Sequence, residues 1–203
     1  MSKPGLLDWD RVSRWTSAIL DDDNEPISME FMRAGTERPQ CHWNVEPHKL
    51  AHVPLSFLLR HWLTLKDRGG LPRADQIDAL DLAPSLGFIM LLDPVAEGHD
   101  FRYRLYGTAI AIASGADMSG KLVSSLPAAA HVIEFEIAAA RAALMKQAPL
   151  YSTRKSMNEQ RVTRWERIHL PLANERGAVV RLIVAAVPVG LDGGIVISNS
   201  NWR

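Results

Sequence analysis

The sequence predicts an α+β protein: two strands in an antiparallel hairpin, helices, then three more strands, plus an N-terminal helical extension. Three observations predict it. Apolar residues recur at helical spacing within 8–20 and 55–63, and the pattern changes to strand-like runs from residue 86. Two strand segments flank the turn-forming stretch AEGHD, which suits an antiparallel hairpin. Three further strand segments follow an Ala-rich helical segment, and NERG supplies the turn between the last two.

The elements follow in order. In DWDRVSRWTSAIL, residues 8–20, the side chains Trp9, Val12, Trp15, Ile19 and Leu20 lie near one helical face, and Asp8 suits the N-cap. The acidic run DDDNEP stops this helix, because Pro26 disfavours a helical Glu25. Residues 27–48 show no sustained period and read as an irregular arm. In PLSFLLRHWLTLKDRGG, Leu55, Leu58, Leu59, Trp62 and Leu63 form a stripe; Pro54 suits the first turn, and Gly69 or Gly70 the C-cap. Phe57 and Leu65 fall off the stripe, so this helix carries apolar surface on more than one side.

LGFIMLLDPV reads as a buried strand, and DFRYRLYG alternates Phe101, Tyr103 and Leu105 with Arg102, Arg104 and Tyr106. Thr108 suits the cap of a short helix, AIAIAS, that Gly115 ends. Residues 130–147 form a longer helix. Strands then fit LYSTRKSMN, VTRWERIHLPLA and VVRLIVAAVPVG.

Composition narrows the function classes. At 203 residues the chain buries roughly 70% of its unfolded surface and needs no disulfide or metal to fold. Its 23 Lys plus Arg balance 23 Asp plus Glu, which gives no general attraction to nucleic acid or to an anionic membrane. The single cysteine, Cys41, fits a reducing compartment. The charged N-terminus is unlike a signal peptide, and no apolar run reaches the roughly 18 residues of a membrane span. A cytoplasmic protein is expected.

GADMSGKLVSSL, residues 115–126, comes within one residue of a phosphate-binding loop: Gly115, Gly120 and Lys121 fit, but Leu122 stands where Ser or Thr must hold Mg²⁺. A helical segment precedes it instead of a buried strand, so the glycines read as structural, bending the backbone at a helix end and a tight turn. This stretch, with LPRADQIDALDL, LLDPV, DFRYRLYGTAI, LPL and VVRLIVAAVP, resembles a bacterial branch of PAS domains over roughly residues 55–190.

The resemblance implies a PAS-like five-stranded antiparallel sheet with helices on one face and a pocket between the two. It divides the chain into an N-terminal helix and arm (1–48), a helix preceding the sheet and suited to dimerisation (49–70), a PAS-like core (71–190) and a C-terminal tail (191–203). PAS domains bind haem, flavin, metabolites or nothing, and pass signals to partners. With Arg203 just after the last strand and no effector following, a free-standing sensor or adaptor is expected. Inward positions that line the expected pocket are Tyr103, Leu105, Ile110, Ile112, His131, Phe135 and Ile183.

Individual residues sharpen or blunt this. Cys41 lies in the arm, away from the middle helices where flavin-adduct chemistry needs a thiol. His131, opening the long helix beside Val132, Ile133 and Phe135, is the first choice for a haem ligand, with His169 second; a lone His by an apolar face is more often hydrogen-bonded or exposed. CHWNVEPHKLAH gathers Cys41, His42, Glu46, His48 and His52, but Pro54 lies close and no second cluster follows, so a surface His cluster outweighs a metal site. No nucleophile motif occurs, and no catalytic residue is assigned. Glu134 and Glu136 read as solvated. On the strand at 162–173, Trp165, Arg167 and His169 share one side and line either a pocket or the exposed sheet face; Ile168, Leu170 and Leu172, the more apolar side, read as core-facing, and Trp165 as outer or interfacial.

The expected function is a non-catalytic sensory or adaptor domain that binds a small apolar ligand, forms a homodimer or meets a signalling partner, and engages neither nucleic acid nor membrane. The cofactor is left unassigned. A ligand-free interaction module is the alternative, and a metal-dependent enzyme built on the His-rich arm is the third reading.

Overall fold

The computed structural model describes residues 6–66, 70–156 and 161–197. Helix α1 (Trp9–Leu20) starts where Asp8 accepts the Arg11 N–H at 2.9 Å, and it buries Val12, Trp15, Ala18 and Ile19. Residues 27–48 are not an irregular arm. Helix α2 (Glu25–Arg33) begins directly after the acidic run, with Pro26 in its first turn, where a missing N–H costs nothing. The proline expected to stop the first helix therefore starts the second, while α1 ends earlier, at Leu20. Strand β1 (Gln40–Trp43) follows.

Helix α3 (Val53–Lys66) carries Pro54 in its first turn and buries Leu55, Leu58, Leu59 and Trp62. The suggested cap Gly69 lies outside the described residues, while Gly70 has φ +75°. Strands β2 (Ile89–Val95) and β3 (Asp100–Tyr106) form the expected antiparallel hairpin. Helix α4 (Thr108–Ser114) is capped by Gly107, with Thr108 as its first residue, and ends at Gly115 in the left-handed conformation. Helix α5 (Ala130–Lys146) leads to β4 (Leu150–Lys155), β5 (Arg164–Ala173) and β6 (Val179–Val189). Residues 157 and 158 of the expected third strand lie outside the described residues, as do 198–203 of the tail. In the NERG turn, the Asn174 side chain accepts the Arg176 and Ala178 amides.

Among the described residues, six strands form one antiparallel sheet in the order β1-β4-β5-β6-β2-β3. The α+β antiparallel architecture is as the sequence predicts, with two additions. The sixth strand is β1, which extends the sheet beyond β4 and sets Cys41 opposite Ser152. Helices cover both faces and not one. On the inner face, α1, α2, α4 and α5 close over Leu92, Tyr103, Trp165, Leu182, Val184 and Ala186. On the outer face, α3 lays its stripe on Ile168, Leu170, Leu172, Ile183, Ala185 and Val187.

Residues 165–173 of β5 are consequently all buried, the pattern of a strand covered on both sides. The Trp62 indole N–H donates to the Pro171 carbonyl at 2.9 Å, which fixes α3 across the strand. The reading of β5 as having one core face therefore needs correction. Ile168 and Leu170 face α3, and Trp165 lies in the inner core instead of outside or at an interface.

Candidate functional site

Helix α5 is apolar on nearly every side: Val132, Ile133, Phe135, Ile137, Ala138, Ala139, Ala140, Ala142 and Ala143 are all buried. Carboxylates on such a helix have no solvent to reach and must find partners. Glu134 and Glu136 are buried, not solvated as expected. Two residues apart, they point to different partners. Glu134 accepts the Asp8 N–H at 2.8 Å and an Arg11 guanidinium N–H at 3.0 Å, which pins the start of α1 onto α5.

Glu136 faces the sheet. Its Oε1 lies 2.8 Å from Arg154 Nε and 3.1 Å from Arg167 Nη1. All three side chains are about nine-tenths buried, with exposures of 9%, 10% and 8%. The pairing register explains the meeting: Ser152 on β4 lies directly opposite Arg167 on β5, and Arg154 lies opposite Trp165. The Arg167 guanidinium also sits 5.2 Å from the Trp165 ring.

Burial alone would raise the Glu136 carboxyl, but Arg167 and Arg154 outweigh it and hold it below the ordinary glutamate value. Burial pulls Arg167 down without removing its charge. Burial raises the hydroxyls of Tyr103 and Tyr106, which therefore keep their protons. His169 on the same face falls to about 4, again through burial, and is neutral near pH 7. The resulting cluster has two cations, one anion and several neutral donors between α5 and the sheet. The Glu136 carboxylate is held between two guanidiniums and the tyrosines are held protonated, so neither offers a ready general base.

The seven positions expected to line a pocket do not converge. Tyr103, Ile110 and Phe135 are buried together in the inner core. Ile183 lies in the other core, beneath α3, because alternation along β6 places it on the opposite face from Leu182 and Val184. Leu105 and Ile112 are 44% and 43% exposed. His131 is half-buried and meets Phe31 edge-on at 4.9 Å. Phe31 also packs against Phe135, so α2 fills the space beside the imidazole, and these residues do not fit a haem there. His169 is enclosed with its Nδ1 3.4 Å from the Leu150 carbonyl.

The loop at 115–122 spends its amides internally. Gly120 N–H donates to the Tyr103 carbonyl, Lys121 N–H to Met118 and Ser119 N–H to the Asp117 side chain, while Lys121 Nζ binds the Asp117 carbonyl. Those groups are the ones a phosphate would need. Gly120, at φ +79°, lets the chain turn back along β3.

The His-rich arm is likewise dispersed. His42 and His48 are exposed, His52 approaches Glu166 at 3.7 Å on the outer face, and Cys41 faces the inner core. Among the described residues, no group of three or more His, Cys, Asp or Glu is placed to hold a metal. Burial lifts the Cys41 thiol far above its ordinary value, so it is not a thiolate nucleophile. No helix among the described residues is long and apolar enough to cross a membrane.

Sequence reasoning missed Arg154 and Ser152, read Glu136 as solvated, and left Arg167 between a pocket and the exposed sheet face. The signal was the all-round apolar character of α5, which leaves an embedded glutamate no alternative to a buried cation. Compared with known proteins, residues 50–186 match a family model described as PAS domain. No curated protein and no solved structure matches the chain.

Proposed function

The chain belongs to the PAS domain family, and from that premise we propose that it is a sensory or adaptor module of bacterial signalling, answering a small ligand or a protein partner without catalysing a reaction. The observation that carries this reading is the enclosed Glu136, Arg154 and Arg167 cluster beneath α5. Buried ionic groups give little net stability compared with apolar packing, so their presence in a core favours recognition over scaffolding. Tyr103, Ile110 and Phe135 flank the place a ligand takes, and a shift of α5 carries the response outward.

The second reading, a ligand-free interaction module, draws on exposed apolar side chains. Leu105 and Ile112 face solvent at the β3 and α4 end. Dimerisation through α3 uses its outward flank, where Val53 is 62% exposed, because the main stripe is already spent on the chain's own sheet. Native mass spectrometry of freshly purified protein tests both readings. A retained small molecule supports the sensor, a bare homodimer supports the interaction module, and a bare monomer that captures no ligand or partner overturns the pair.

A further inference from the structure

We infer that Arg167 and Ser152, backed by Arg154, form a receptor for a small oxyanion of the carboxylate or phosphate type. The inference deepens the sensory reading above and rests on it. Charge comes first. Two guanidiniums face one carboxylate, and His169 beside them is neutral, which leaves one positive charge without a counter-charge. Glu134, the other buried carboxylate of α5, is taken by Arg11 and the Asp8 amide. A buried charge in that position draws an anion.

Hydrogen bonding points the same way. Arg167 Nη1 lies 3.1 Å from Glu136 but is not aligned to donate to it, and it makes no hydrogen bond. Ser152 Oγ, in a residue only 1% exposed, also has no partner. Ser152 and Arg167 are cross-strand neighbours, so these atoms share one face of the sheet. A guanidinium edge beside a free hydroxyl matches an oxyanion, which accepts from both; a cation would be repelled, and a neutral carbonyl would leave the charge unmet. The protonated hydroxyl of Tyr103, in the inner core, adds a donor on the same side of the sheet, whereas that of Tyr106 is given to Ser114 Oγ.

The test is thermal denaturation and titration calorimetry of the full chain with sodium acetate or inorganic phosphate, against sodium chloride at equal ionic strength and against neutral acetamide. The melting temperature should rise with one or both oxyanions beyond the chloride control and not with acetamide. Acetate alone would identify a carboxylate ligand, and phosphate alone a tetrahedral one. Arg167→Met should abolish the response yet melt within a few degrees of the parent, since Glu136 keeps Arg154. Ser152→Ala should weaken binding roughly tenfold, as loss of a hydrogen bond to a charged group does. Glu136→Gln should enlarge the response.

No oxyanion effect in the parent, or a full response in Arg167→Met, overturns the inference. If Arg167→Met does not fold, Ser152→Ala and Glu136→Gln decide it: unchanged binding in both sinks it. A chain that ignores oxyanions but retains an uncharged molecule or dimerises in native mass spectrometry refutes this inference alone and leaves the sensory or adaptor reading standing.

Discussion

On the outer face of the sheet, α3 sets Leu55, Leu58, Leu59 and Trp62 against Ile168, Leu170 and Leu172. On the inner face, α5 sets Glu136 against Arg154 and Arg167, two residues along the same pair of strands. The outer contact is non-directional, and its strength follows the apolar area removed from water. The inner contact depends on angles and on the balance of charges, one carboxylate between two guanidiniums. One face thus tolerates volume-conserving change, whereas the other can be unbalanced by a single atom type.

The first way to break the comparison is Trp62→Ala. It removes the largest outer side chain and leaves the Pro171 carbonyl without its donor, so unfolding free energy should fall by about 3–5 kcal/mol in urea denaturation. Glu136→Leu should cost a similar ~3–5 kcal/mol, for a different reason: it strands two buried cations. The faces separate when the neighbours are changed too. Glu136→Leu combined with Arg154→Met and Arg167→Met should recover the loss and match the parent, or exceed it by about 1–4 kcal/mol. If the triple variant is as unstable as the single one, the inner cluster is a structural requirement like the outer stripe, and the contrast fails.

The smallest effect concerns pH. His169 titrates at about 4 in the folded chain, because burial disfavours its cation, and returns to about 6.5 on unfolding. Between those values the unfolded chain binds a proton that the folded chain refuses. Stability is therefore whole above about pH 6.5 and drains as pH falls toward 4, by on the order of 3 kcal/mol. Urea midpoints at pH 7 and pH 5 should differ in the parent and converge in His169→Leu. An unchanged pH slope in that variant would assign the acid loss to other groups.

The outer face was legible in the sequence, since the stripe on α3 and the apolar set on β5 each follow one period. The β2–β3 hairpin and α5 were legible for the same reason. The N-terminal segment was not. QCHW alternates, but four residues are too few to mark a strand, and α2 is nine residues long behind a proline that reads equally as a stop. The inner face misled most. Alternation along β5 separates two sets of side chains, but it does not say that both are covered, and the more apolar set drew the core assignment. Glu134 and Glu136 were read from their spacing alone, when the apolar residues around them on α5 excluded solvent.

The match to the PAS family begins at residue 50, and β1 ends at Trp43. A fragment trimmed to the matched region would lose the strand that occupies the margin of β4, together with the hydrogen bonds from Asn44 to Pro149 and from Trp43 to Ile19. It would present a row of unmet amides and carbonyls to any passing copy of itself, the usual template for runaway strand addition. The residues before the family boundary thus replace the six-residue β4 margin with a four-residue one, and a shortened protein that precipitates would be reporting their absence.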